Sequence, residues 1–367
     1  MDNFSAIVTQ MDPETVKMDL SGKPDRRMTG ELLDLAFKMD RKPAGRILLD
    51  LSGLDPLTGD GLQTLCALHA VLARRFGAVY VRGLSDETRQ ILALSHLDRL
   101  TREYADEDQT GARSQPGVAE NNRKTVLNHW SQPVERASLN QSPEQMINLN
   151  VDKRPLTSPA DSFGRMWLRT YRVRLCGDRS PEEVMARWRK RFSDFWPPDN
   201  RIHSSSSEFE PGSVCLINLA FPLGMVLSTG AVVIHADDAS FTLMTVQGHM
   251  FSGLITFSSY REGEHVYAQT QALVRPSDPL YEFTFRLGYG PKTEDAFWVR
   301  AMKNVATHFN TGSELRCPID DLRKVETSSR LIDPSIRWHH SGNLWYNAAV
   351  RSAIHQFFRP IRRLISR

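Results

Sequence analysis

The stretch GRILLDLSGLDPLTGDGLQTLCAL, residues 45–68, constrains the fold more than any other part of the chain. An apolar strand ends in Asp-Leu-Ser-Gly and passes through a short loop into a helix. Leu62, Leu65, Cys66, His69, Leu72 and Phe76 mark one stripe of that helix. A second strand, GAVYVRG, follows. The next helix, SDETRQILALSHL, opens on Ser85 with Glu87 and Thr88 behind it, a capping pattern. Upstream, FSAIVTQ and TVKMDLSG read as two strands joined by Met11-Asp12-Pro13-Glu14. TGELLDLAFKM is helical, with Leu32, Leu35, Ala36 and Met39 aligned. A hairpin followed by alternating helices and strands predicts a small α/β layered domain over residues 1–105.

The chain has 367 residues, too many for one ordinary core, so a second domain is expected. Residues 106–165 are rich in Gln, Asn, Ser and Pro and read as a flexible polar linker. Residues 166–311 form the second unit. They begin with the strand MWLRTYRVRL and the helix SPEEVMARWRKRFSDF, with Ser180 as N-cap and Pro181 at its first position. Several strand-like runs follow, then a long helix from about Pro279 to Phe309 with a break expected near Gly288 and Gly290. This order predicts an α+β fold in which an antiparallel sheet wraps the last helix. Residues 312–343 read as irregular, and 344–367 as a basic amphipathic helix.

Net charge is +3, too mild to argue for nucleic acid. Cys66, Cys176, Cys215 and Cys317 lack the spacing of a metal or redox motif and read as buried reduced thiols. No metal and no cofactor is expected. The opening MDNFSAIVTQMD has neither a basic start nor an apolar core, so a signal peptide is not expected. No apolar run approaches the roughly 20 residues that cross a bilayer. These features predict a cytoplasmic protein, with peripheral contact at the inner membrane face left open.

ILLDLSGLDPLTGDGLQTL, followed by GLSDETRQILALSHLDRL, resembles the STAS domain, the fold of anti-sigma-factor antagonists. The resemblance covers about residues 4–105. It implies a protein-interaction module whose partner is an anti-sigma factor or kinase-like protein. In that family Asp-Ser-Ser-Gly-Leu stands at a helix start, and a serine there is phosphorylated. Aligned without gaps, that motif falls on Thr58, Gly59, Asp60, Gly61 and Leu62, so both serines are absent. Asp60 either caps the helix or imitates a phosphoserine, since a helix N-terminus favours an anion. Thr58 is the nearby hydroxyl that modification could still reach. His69 and Cys66 fit an apolar helix face better than a metal site.

In the second unit, TVQGHMFSG and then VYAQTQALVRPSDPL precede a helix bearing Phe297, Trp298, Met302 and Phe309. The pattern resembles an uncharacterised SRPBCC-like family of bacteria and plants. It falls on Gly248, His249, Gly253, Arg275 and Pro276, with Leu254 where relatives carry Glu. The resemblance implies a helix-grip fold, and such folds commonly enclose an apolar small molecule. On the strand 264–275, His265, Tyr267, Gln269, Gln271, Leu273 and Arg275 share one face, and Val266, Ala268, Thr270, Ala272 and Val274 the other. Alternation does not say which face is inward. If the polar face is inward, Trp188, His249, Tyr267, Gln269, Gln271, Phe283 and Phe285 are candidate ligand contacts. His249 is a general base, a ligand anchor or a histidine bonded between backbone groups.

The leading expectation is a non-enzymatic regulatory or carrier protein: an interaction module fused to a domain for an apolar small molecule. The rivals are a cyclase- or hydrolase-like enzyme with His249, Tyr267 and Arg275 as catalytic candidates, and an anti-sigma factor antagonist of the phosphorylated kind. On the C-terminal helix, Phe357 and Phe358 lie on an apolar stripe and Arg359, Arg362 and Arg363 elsewhere. That helix either lies on an anionic membrane or packs its apolar stripe on the second domain.

Overall fold

The structure is a computed structural model. It describes residues 4–23, 26–99, 102–104, 127–139, 142–221, 224–311, 324–338 and 344–365, without the side chains of 26–28, 161, 289–291 and 359–365. The chain divides into two compact units, Met1–Pro133 and Val134–Arg367.

Unit 1 runs β1 (Ser5–Gln10), β2 (Thr15–Gly22), α1 (Arg26–Lys38), β3 (Lys42–Leu54), α2 (Gly59–Leu72), β4 (Phe76–Arg82), α3 (Asp86–Leu94) and β5 (Arg102–Glu103). The five strands form one sheet in the order β1-β2-β3-β4-β5. β1 and β2 pair antiparallel and the other pairs are parallel. This is the expected α/β layer. Ile47, Leu48 and Leu49 on successive positions of β3 are all buried, so both sheet faces are covered. At α3 the Ser85 hydroxyl accepts from the Thr88 N–H at 3.1 Å.

Unit 2 runs β6 (Met166–Leu175), α4 (Pro181–Lys190), β7 (Arg201–Ser204), β8 (Val214–Phe221), β9 (Met225–Ala236), β10 (Ser240–Thr245), β11 (Phe251–Glu262), β12 (His265–Pro276), α5 (Pro279–Arg286), α6 (Tyr289–Asn310), β13 (Glu326–Asp333) and α7 (Ala348–Ile365). Its eight strands form one antiparallel sheet, β13-β6-β12-β11-β10-β9-β8-β7. α4 carries the full capping box: the Ser180 hydroxyl accepts from Glu183 N–H, and the Glu183 carboxylate accepts from Ser180 N–H, each at 3.2 Å. The long helix is two helices. Asp278 caps α5 by accepting from Leu280 and Tyr281 N–H, and Gly288, at φ +79°, turns the chain into α6.

One sheet face packs on α4 and α6. Trp188 lies edge-on to Phe257 at 5.8 Å, Phe192 edge-on to Phe257 at 4.8 Å, and Trp298 tilts over Phe257 at 5.7 Å. Met302, Val305 and Phe309 of α6 complete this aromatic core.

Four expectations change. Residues 134–165, read as flexible linker, belong to unit 2. Asn218 exchanges two hydrogen bonds with the Ile147 backbone, and the Leu149 N–H donates to Ser228 Oγ at 3.2 Å. Such a segment looks disordered by composition because a few buried apolar anchors, Val151, Leu156 and Phe163 among them, are spaced between polar residues that bond to the sheet. Residues 312–343, read as irregular, contain β13, which adds an edge strand to β6. α7 is helical as expected, but its contact with the sheet is polar. Cys176, read as a reduced thiol, is disulfide-bonded, its partner lying outside the described residues. Cys66 and Cys215 are free and buried, and burial pushes both thiols up to about 12.

Candidate functional site

In unit 1 the loop after β3 leads into α2. Thr58, not Asp60, is the N-cap: its hydroxyl accepts from the Gly61 N–H at 3.3 Å. Asp60 is the acid of the first turn, where the helix dipole favours it. Thr58 is half-buried, whereas Gly59, Asp60 and Gly61 are buried. Asp60 therefore lies within the domain rather than on an open contact surface. Beside the loop, Asp50 gathers the strand ends. Its carboxylate accepts from Arg82 Nη2 at 2.6 Å and from Ser52 Oγ at 2.6 Å, with Lys17 Nζ at 3.2 Å. Burial pushes this carboxyl up, but the hydrogen bonds from Ser52 and Arg82 outweigh it and hold it far below the ordinary range. Gly83, at φ +73°, fits here because a Cβ would lie 2.1 Å from Ser52 Oγ.

In unit 2 the face of β12 toward α6 carries Val266, Ala268 and Thr270, with the Thr270 hydroxyl on Met302 Sδ at 3.3 Å. Tyr267, Gln269 and Gln271 lie on the opposite face, so the polar face is not the inward one. Small side chains inward let α6 approach the sheet. On the far face Tyr260 OH donates to Gln269 Oε1 at 3.2 Å, Gln271 Nε2 donates to Thr170 Oγ1 at 3.1 Å, and Tyr267 stacks on Tyr260 at 5.6 Å. Arg172 lies over the Tyr267 ring, 5.0 Å from its centre.

The three catalytic candidates do not converge. Tyr267 and Arg275 stand eight residues apart on one strand, about 27 Å. Arg275 is fully buried, donates to Gly164 O at 2.8 Å and pairs with buried Asp333. His249 Nδ1 accepts from the Phe251 N–H at 3.0 Å, and burial pushes its pKa down to about 4. It is a neutral histidine bonded to backbone, at the start of β11. The motif glycines are packing positions: a Cβ on Gly248 would lie 1.9 Å from Tyr346 O, and one on Gly253 2.1 Å from Leu273 O. Of the candidate wall residues, Trp188 and Phe285 are buried, and Phe283 is exposed. The side chains of Arg359, Arg362 and Arg363 lie outside the described residues. Phe357 and Phe358 are exposed.

Sequence reading missed one cluster on the α6 side of the sheet. Arg169 of β6 donates to Glu294 Oε2 at 2.9 Å and to Asp295 Oδ1 at 3.1 Å, both on α6. Tyr171 OH donates to Asp295 Oδ1 at 2.6 Å, and the Phe285 ring lies 5.3 Å from the Arg169 guanidinium. Burial pushes the Glu294 carboxyl up to about 7. Trp167, Arg169 and Tyr171 alternate on β6, a signal that the inward face of this strand carries polar groups, but their partners lie more than 120 residues away. Among the described residues no group of three metal-ligating side chains gathers, and no helix is long and apolar enough to cross a membrane.

Residues 7–102 match the family described as Mlab, STAS domain. No curated protein matches the chain. Among solved structures, an anti-sigma factor antagonist from Mycobacterium paratuberculosis is 23% identical with a TM-score of 0.24, over 29% of this chain and 90% of that one. The major latex-like protein 151 from Panax ginseng is 17% identical with a TM-score of 0.26, over 36% and 99%. The di-domain ARO/CYC StfQ from the steffimycin biosynthetic pathway is 10% identical with a TM-score of 0.33, over 40% and 50%. The STAS match thus lies in unit 1, and unit 2 is a large antiparallel sheet packed with helices.

Proposed function

We propose that this is a non-enzymatic regulatory or carrier protein. Its STAS domain binds another protein, and its helix-grip domain holds an apolar small molecule beside Phe285 of α5. The observation that most supports the regulatory half is the start of α2, where an acidic residue, Asp60, stands in the first turn and no serine does. Binding by the domain is then independent of phosphorylation. Because Asp60 is buried, the contact surface is assigned to the exposed apolar residues of the β1–β2 hairpin, Ile7, Val8 and Met11. The STAS resemblance supplies an anti-sigma factor or kinase-like protein as the partner class. For the ligand, Phe285 is the wall residue retained from the sequence, joined by Trp167 and Phe251, whereas Trp188 is packed in the aromatic core. The reading includes association of α7 with an anionic membrane at its cytoplasmic face.

Native mass spectrometry of the full-length protein from its source tests the carrier half. A co-purifying small molecule is expected. A ligand at about a hundredfold excess over its dissociation constant adds about 2.7 kcal/mol to stability. Bare polypeptide mass, together with no thermal shift from lipids or aromatic acids, overturns it.

A second reading, an enzyme on an apolar substrate, is favoured by Glu294. A carboxyl that titrates near neutrality beside Arg169 and Tyr171 is suited to proton transfer. In that reading Glu294, not His249, is the acid or base.

A further inference from the structure

The C-terminal helix is fastened to the sheet by its polar side. β10 pairs with β9 from Ala231 to Ala236, so the first residues of β9 need other partners on that side. α7 and the strap before β6 provide them. The Gln356 amide accepts from Val226 N–H at 3.0 Å and donates to Val226 O at 2.6 Å. The Ser352 hydroxyl accepts from Ser228 N–H at 3.0 Å, and Asn150 donates to Ser228 O at 2.8 Å. The spacing explains the match. Residues four apart on a helix rise about 6 Å, and residues two apart on a strand about 6.7 Å. Ser352 and Gln356 therefore serve Ser228 and Val226 in register.

Docking on this side leaves the apolar stripe facing out. Ile354 is 53% exposed and Phe357 74%, with Val350 and Phe358 on the same stripe. Trp345, in the turn before the helix, is 79% exposed. A helix held only by apolar packing would bury these residues. Residues 344–367 contain five arginines and no acidic residue. An aromatic and aliphatic stripe on an acid-free, arginine-rich helix complements anionic lipid headgroups over an acyl layer.

We infer that α7 docks on an anionic bilayer while it stays fastened to β9, so that unit 2 sits on the membrane in one fixed orientation. The inference rests on the membrane association proposed above and adds the way it is made.

The test is flotation of the full-length protein with vesicles of neutral phosphatidylcholine, and of phosphatidylcholine with phosphatidylglycerol, at low salt. Hydrogen exchange of the peptide covering 225–230 is followed in the free and bound states. Flotation is expected with the anionic vesicles, with little on neutral ones and a loss at high salt. Phe357→Ser combined with Phe358→Ser, at exposed positions that leave the docking bonds intact, is expected to reduce flotation about tenfold. Exchange at 225–230 is expected to be equally slow free and bound. No flotation of the wild-type protein overturns the membrane association itself. Flotation with fast exchange at 225–230 overturns only the fastened geometry. A dimer in light scattering that the double serine variant abolishes assigns the stripe to a second copy of the chain and overturns the proposal.

Discussion

Arg275 and Asp333 form an ion pair in which neither side chain is exposed to solvent. The pair joins β12 to the last residue of β13 across β6. Asp333 is further held by the Ser335 N–H at 2.9 Å and Ser335 Oγ at 2.6 Å. Burial pushes the Asp333 carboxyl up, but the Arg275 charge and these hydrogen bonds outweigh it and hold it below its usual value. Asp333→Ala strands a buried guanidinium and is expected to destabilise unit 2 by about 3–5 kcal/mol, measured by denaturant unfolding. Replacing both partners with apolar residues of similar volume is expected to recover most of that. Because the folded pKa is depressed, this contribution is present above the unfolded value and is lost as pH falls through the folded one.

Glu294 carries the opposite sign. Its folded pKa, near 7, lies above the unfolded value, so the folded state holds a proton that the unfolded state releases. The stability contribution is full at low pH and declines as pH rises from about 4.5 through 7, by about 1.4 kcal/mol per unit of displacement. Arg169, Asp295 and Tyr171 are the groups that face it. Glu294→Gln keeps an acceptor for Arg169 and removes the titration. The variant's melting temperature is expected to vary less between pH 5 and 8 than that of the wild type. An unchanged pH slope would show that Glu294 titrates as an ordinary carboxyl.

Gly248→Ala tests the close approach of the C-terminal segment. At φ +90°, and with Tyr346 O where a Cβ would go, alanine is both strained and obstructed. The bond from Ala348 N–H to Gly248 O at 2.9 Å is expected to break. Limited proteolysis of residues 344–358 should accelerate in the variant while cleavage within unit 1 stays unchanged.

Thr58→Ala removes the α2 cap and is expected to cost about 1 kcal/mol. Ile7→Ser, at an exposed position of the β1–β2 hairpin, is expected to reduce partner binding more than stability, read by partner affinity alongside thermal unfolding. Stoichiometric phosphate on wild-type Thr58, seen by phosphopeptide mapping, would contradict phosphate-independent binding.

The two fold classes were legible in the sequence because they depend on local pattern. Ile47 to Leu49 mark a strand covered on both faces, Ser180 and Glu183 fix the start of α4, and Gly288 marks the break between α5 and α6. The candidate sites were less legible. Strand alternation separates Tyr267, Gln269 and Gln271 from Val266, Ala268 and Thr270, but either set can face a helix. Only the packing of Met302 and Phe309 decides that the small residues are inward. The amphipathic pattern of 344–367 is likewise determined by sequence. Its outward-facing stripe is not, because that direction is set by Gln356 and Ser352 finding unpaired backbone at Val226 and Ser228. Arg169 and Glu294 meet across 125 residues. Local periodicity follows from the chain's own geometry, whereas contacts between distant segments exist only once the sheet and α6 have been brought together.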